Sequence, residues 1–257
     1  LHMSDVLARE LMDHGENGAE DTDIIDSSAF AGIKIELSKQ LRSLIRKLTD
    51  ARDLPEHEVS AAFQGQLRPY QVYGMNWLLF LRENGFGACL ADDMGLGKTI
   101  QMIAYFLHVK ESGRQKAPSL IIAPTSVLGN WQRELQTFAP QLKAVLHYGP
   151  RRPKGKAFVP AYQDADVVLT SYGLSHADQE ELSSVTWSTI CLDEAQNIKN
   201  AHTKQSRAIR KLKGVHHIAL SGTPMENRLT ELWSIFDFMN KGYLGSLTGF
   251  HNRYVLP

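Results

Sequence analysis

From Gly87 onward the apolar positions of this chain fall in short continuous runs, and helical spacing returns between most of them. The runs Gly87–Ala91, Ser119–Ala123, Ala144–Tyr148, Asp166–Thr170, Thr189–Leu192 and His217–Leu220 are rich in branched and aliphatic residues. Turn residues bound them, and the pattern predicts six strands. Thr99–Lys110, Val127–Phe138, Lys204–Leu212 and Leu229–Met239 carry the periodicity of helices. A further helix is predicted over Leu67–Glu83, started by Pro69 in its first turn, with Tyr73, Trp77, Leu78 and Leu81 as its core stripe. Near-continuous apolar strands alternating with helices imply an α/β fold, a parallel sheet covered on both faces. Ligands of such sheets sit at the carboxyl ends of the strands.

Ahead of this region the pattern weakens. Leu1-His2-Met3 reads as a vector remnant, so the chain is expected to be a cloned fragment. Residues 4–30 are acidic and thin in aromatics, with six carboxylates and no Lys or Arg between Leu11 and Ser28, which suits a disordered segment. Residues 31–64 read as a helical extension and connector. Leu37, Leu41, Leu44, Ile45 and Leu48 recur at helical spacing up to Asp53-Leu54-Pro55. The α/β domain is then expected over 65–257.

Composition changes this picture little. Lys plus Arg and Asp plus Glu are both 28, so any surface for a polyanion must be local. Cys89 and Cys191 lie inside apolar runs and read as small buried hydrophobes, in keeping with a reducing, cytoplasmic compartment. No apolar run approaches transmembrane length.

Three strand ends carry candidate chemistry. The first is ADDMGLGKTI, Ala91 to Ile100, between a strand and a helix. Gly95 and Gly97 let backbone N–H groups face a phosphate, and the helix adds its positive end. Lys98 can reach terminal phosphates, and the Thr99 hydroxyl can hold Mg²⁺. Asp92 stands where the usual glycine–lysine loop has its first glycine. The second is Asp193-Glu194-Ala195-Gln196. On a pleated strand end one carboxylate can face a metal while its neighbour polarises water. The third is Ser221-Gly222-Thr223-Pro224, a polar turn after an apolar strand. Each is commonplace alone; together at the ends of three strands they point to nucleotide chemistry.

The order ADDMGLGKT, IIAPTSVLGNW, VVLTSYG, LDEAQ, ALSGTPMENRL resembles the successive motifs of the Swi/Snf (sucrose non-fermenting) ATPases of helicase superfamily two, over about Gly65 to Pro257. MEN after SGTP and the run LLFLRENGFGACLADDMGLGKT look most like bacterial members, which implies association with a nucleoid. The resemblance implies a RecA-like lobe in which Asp92, Asp93, Met94, Gly95, Leu96, Gly97, Lys98 and Thr99 bind ATP. Thr99 and Asp193 would hold Mg²⁺, and Glu194 would activate water. Gln71 matches a glutamine that reads the adenine edge, though an exposed helix residue is an equal alternative. Gln196 departs from the family's usual histidine; with Ser221 and Thr223 it would couple nucleotide state to lobe movement. Thr125, Ser126, Ser171 and Tyr172 match motifs along the track of double-stranded DNA. Arg151, Arg152, Lys154 and Lys156 form a basic loop that could also meet phosphates; Lys204, Arg207 and Lys211 share a helical face and read as solvated charge.

The family works with two such lobes and takes arginines from the second, which this chain lacks. The lobe alone is therefore expected to hydrolyse ATP barely and to bind DNA weakly. The leading reading is half of a DNA translocase that remodels protein–DNA complexes. A strand-separating DNA or RNA helicase and a nucleotide-dependent partner-binding module remain as alternatives. A small-molecule kinase is disfavoured, because no acceptor pocket or lid is legible.

Overall fold

The computed structural model describes residues 54–223 and 228–256. The chain divides into two units, Leu1–Pro55 and Glu56–Pro257, and the sheet lies in the second. The acidic segment and the amphipathic helix expected before Leu54 lie outside the described residues, as do residues 224–227.

All six expected strands form: β1 Ala88–Leu90, β2 Ser119–Ala123, β3 Ala144–Leu146, β4 Val167–Ser171, β5 Thr186–Leu192 and β6 Lys213–Leu220. Every pairing is parallel, in the order β1-β6-β5-β2-β4-β3. The expected helices are α1 Pro69–Glu83, α2 Lys98–Glu111, α3 Leu128–Phe138, α7 Lys204–Ile209 and α8 Leu229–Met239. Four others were not expected: α4 Phe158–Tyr162, α5 Tyr172–Ala177, α6 Gln179–Ser183 and α9 Leu247–Tyr254. The first three have five or six residues, too few to show a helical period.

The pleat sorts the strands between two layers. Leu120, Ile122, Val168, Ile190, Leu192 and Ala219 share one core with residues of α4 to α8, among them Tyr172, Ile209, Ile235 and Phe238. Alternate positions such as Ile121 and Leu169 are just as buried and face the other way. The first helix corrects one expectation. Tyr73 is 48% exposed, whereas Leu78 and Leu81 are buried together with Met75, Leu79 and Phe80.

Helix α1 is fixed at its far end by Arg82. This buried guanidinium donates to the Ser188 carbonyl at 2.8 Å, to the Ser188 and Thr189 hydroxyls, and to the Tyr105 phenol. Tyr105 in turn bonds His216 Nδ1 at 2.7 Å, and burial pushes His216 down to about 3, which keeps it neutral. Gly87 lies where α8 ends. A Cβ there would come within 2.2 Å of the Met239 carbonyl oxygen, which is backbone and cannot yield cheaply. Gly87→Ala is expected to cost about 3 kcal/mol, lowering Tm by roughly 6–12 °C in a thermal melt.

Candidate nucleotide site

β1, β6 and β5 are neighbours, and all run the same way. The glycine loop, Ser221 and the acidic pair that follow them therefore emerge on one rim. The Ser221 N–H donates to the Leu90 carbonyl, tying the third turn to the start of the first. A Cβ on Gly222 would lie 3.3 Å from Met94, so these two segments touch.

The loop is left-handed at Gly95 (φ 85°) and at Gly97 (φ 76°), the residue that caps α2. Only glycine takes such angles without strain. Space around a Cβ on Gly95 is open, while one on Gly97 would meet Gln71 Nε2 at 2.5 Å. Lys98 folds over the loop and donates to the carbonyls of Asp92 at 2.8 Å and Asp93 at 3.1 Å. Its ammonium is thus held above the turn where a phosphate would lie.

Gln71 is 7% exposed, so it is not a solvated helix residue. Its Oε1 accepts from the Arg68 N–H at 2.9 Å, and its Nε2 donates to the Leu96 carbonyl at 3.1 Å. The Tyr70 phenol donates to the same carbonyl. The start of α1 is clasped to the glycine loop. Gln101 was missed by sequence reasoning. It is fully buried, and its Nε2 donates to Asp92 Oδ2 at 3.1 Å, bracing the residue that replaces the loop's first glycine. Its mark in the sequence is that of a polar residue in the apolar stretch of α2.

The acidic pair departs from the geometry expected of a strand end. β5 stops at Leu192, and Glu194 takes a left-handed backbone (φ 53°, ψ 57°), alone among described non-glycine residues. That turn, not the pleat, separates the two carboxylates; such a conformation costs on the order of 1 kcal/mol and must be held by its surroundings. Asp193 Oδ1 accepts from the Glu194 N–H at 3.0 Å, and Oδ2 accepts from the Trp131 indole N–H at 2.8 Å. Burial raises the Asp193 pKa; the Trp131 bond and the nearby Lys98 charge oppose it. A half-buried carboxylate offers hard oxygen, which suits Mg²⁺, an ion that usually completes its shell with substrate phosphates and water. The donors therefore fit the ion the motifs imply.

From Glu194 a relay runs to the third turn. Gln196 Nε2 donates to Glu194 Oε2 at 2.5 Å, Ser221 Oγ donates to Gln196 Oε1 at 2.9 Å, and the Thr223 N–H donates to Ser221 Oγ at 3.1 Å. The residues expected to couple nucleotide state to movement are joined in one line.

The candidate DNA contacts divide. Thr125 and Ser126 are exposed after β2. Ser171 and Tyr172 are buried at 4% and 5%, because both side chains are already engaged. Ser171 Oγ caps α5, and the Tyr172 phenol donates to the carbonyls of Asp193 at 2.8 Å and Glu194 at 3.3 Å. In the basic loop, Arg152 grips the buried Asp178 through Nε at 2.5 Å and Nη2 at 2.9 Å, and Lys154 reaches it at 3.2 Å. Arg151 and Lys156 stay exposed. The exposure of Lys204, Arg207 and Lys211 matches solvated charge.

A family model described as the SNF2-related domain matches residues 70–257. Over all 257 residues the chain is 85% identical to a Bacillus subtilis protein named "Putative ATP-dependent helicase/translocase YwqA", and spans 28% of it. It is 38% identical over 240 residues, 88% of its length, to the TATA-binding protein-associated factor mot1 of Aspergillus fumigatus, and spans 13% of that protein. The solved SWI2/SNF2 ATPase core of Sulfolobus solfataricus in complex with dsDNA is similar at 43% identity, with a TM-score of 0.71. That match covers 78% of this chain and 41% of the other. The chain thus spans less than a third of these two curated relatives.

Proposed function

We propose that this chain, which belongs to the SNF2-related family, is the ATP-binding lobe of a double-stranded-DNA-dependent translocase that remodels protein–DNA complexes. One observation carries the reading: the ends of three adjacent strands bring Lys98, Asp193, Glu194 and Ser221 to a single rim. Lys98 leaves the carbonyls of Asp92 and Asp93 to meet the β and γ phosphates. Thr99 and Asp193 would hold Mg²⁺, which would neutralise phosphate charge. Glu194 orients the attacking water, and Gln196, Ser221 and Thr223 report the state of the site. Gln71, set against the loop through both ends of its amide, would read the adenine edge by exchanging the Arg68 and Leu96 bonds for the base. The support for DNA is a solved relative described in complex with dsDNA. Support for remodelling is a relative named for its association with the TATA-binding protein.

Titration of a fluorescent ATP analogue into this chain tests the site. Weak, Mg²⁺-dependent binding that Lys98→Ala abolishes is expected. Binding untouched by Lys98→Ala would remove the loop from the site.

On the DNA side, Arg151 and Lys156 are the free ends of the basic loop. Reversing both should lower the slope of log K against log salt by about 2, at roughly 0.9 per phosphate contact. Reversing Arg152 and Lys154 should instead unseat Asp178 and show first as a lower Tm.

A further inference from the structure

Two side chains connect the exposed end of β2 and the buried end of β4 to the acidic pair, and neither belongs to the glycine loop or to the Asp-Glu motif. Trp131 sits one helical turn and a half beyond Thr125 and Ser126, in α3, which continues directly from the short 3₁₀ turn that holds them. Its ring is 1% exposed, and its indole N–H ends on Asp193 Oδ2 at 2.8 Å. An indole is a donor only, so this bond fixes one carboxylate oxygen and turns the other toward the Glu194 N–H. Tyr172 follows Ser171 directly at the end of β4. Its phenol fastens the carbonyls on both sides of the left-handed turn, at Asp193 and at Glu194. β2 lies between β4 and β5 in the sheet, so both braces reach Asp193 from neighbouring strand ends, and Tyr172 reaches Glu194 as well.

We propose that Trp131 and Tyr172 are positioning residues. They carry occupancy of the exposed Thr125–Ser126 end of β2 to the Asp193–Glu194 pair, Trp131 through its own bond and Tyr172 by holding the turn that bond acts on, and so set how strongly DNA accelerates ATP turnover. This rests on the reading of the chain as half of a DNA-dependent ATPase. The physical route is short. The segment Thr125–Trp131 is a 3₁₀ turn fused to a helix, so a phosphate seated on Thr125 or Ser126 shifts the indole with it. Carboxylate geometry at a phosphoryl-transfer site tolerates little displacement. The left-handed Glu194 is the part with somewhere else to go, because its backbone is held by the phenol against its own preference.

Trp131→Phe and Tyr172→Phe each remove the hydrogen-bond donor and keep a six-membered aromatic ring; Trp131→Phe also leaves a small cavity, so some loss of Tm is expected there in any case. In the two-lobe protein, ATP turnover is measured with and without saturating duplex DNA, together with DNA affinity and Tm. Trp131→Phe is expected to cut the acceleration by DNA about tenfold, as loss of a hydrogen bond to a charged group would. Tyr172→Phe should cut it several-fold. DNA affinity should stay within about twofold of wild type in both. A merely structural brace would lower Tm and leave the ratio of stimulated to basal turnover alone. If Tyr172→Phe instead weakens DNA binding in step with turnover, the phenol meets DNA itself and the proposal is wrong for that residue. Wild-type stimulation in both well-folded variants overturns it entirely. Absence of DNA stimulation in the wild type would overturn the underlying functional reading, and is told apart because it needs no variant.

Discussion

Joined to a second RecA-like lobe, this chain is expected to turn over ATP about 10³- to 10⁵-fold faster than it does alone. In the proposed reading, the site on the rim of β1, β6 and β5 would supply a loop for phosphates, a carboxylate for Mg²⁺ and a carboxylate for water. Among the described residues it supplies no arginine against the charge that builds on the γ-phosphate. Lys98 is the cation that reaches the loop there, and Lys98 is bound to that loop's own carbonyls. Charge left unpaired in the transition state is the deficit that an in-trans arginine removes. The comparison needs only ATP turnover of the chain and of the two-lobe protein under the same Mg²⁺. Equal rates per molecule would mean that this lobe holds all of the catalytic machinery.

The second large effect concerns the fold. Asp178→Ala is expected to destabilise the domain by about 3–5 kcal/mol, a fall in Tm of roughly 6–20 °C. Asp178 is fully buried and receives Arg152, Lys154 and the likewise buried His147, which also bonds the Tyr162 phenol at 2.7 Å. Removing the carboxylate leaves the Arg152 guanidinium without its partner where water reaches it poorly. The pH dependence has a definite sign. The Arg152 bond, with help from His147 and Lys154 and against burial, holds the Asp178 carboxyl well below its usual range. A carboxyl with a depressed folded value contributes fully above its unfolded value, near 4, and loses that contribution as pH falls further. The gap in Tm between wild type and Asp178→Ala should therefore be open at pH 7 and close as pH falls below about 4. Burial lowers the His147 pKa, so its own contribution fades earlier, as pH drops below about 6.5. A gap that stayed open at a pH well below about 4 would show that Asp178 is not held as the anion.

The sheet was legible because each strand announces itself locally. Buried on both faces, a strand such as Leu120–Ala123 or Val167–Leu169 reads as an unbroken apolar run, and the chemistry-bearing residues come just after such runs. That places Lys98, Asp193 and Ser221 at strand ends by residue pattern alone. What the sequence hid depends on neighbours far along the chain. Arg152 looks like Arg151 in a basic loop, yet one closes on a carboxylate at Asp178 and the other faces water. Tyr172 falls in a motif that by family resemblance lines the DNA track, but its hydroxyl turns inward to Asp193. The left-handed turn at Glu194 has no local mark, since glutamate does not favour it. Tyr73 fits the apolar stripe by spacing, but α1 is buried mainly in its second half, and Tyr73 lies before that point.

The claim on which the functional reading turns is that Lys98, Asp193 and Glu194 act together as a DNA-stimulated ATP hydrolase. Steady-state ATP turnover by the two-lobe protein, wild type beside Glu194→Gln, with and without duplex DNA, tests it most directly. Duplex DNA is expected to accelerate the wild type, and Glu194→Gln to lose about 10²- to 10⁴-fold in turnover while still binding ATP. Turnover by Glu194→Gln equal to wild type, stimulated by DNA or not, would contradict it.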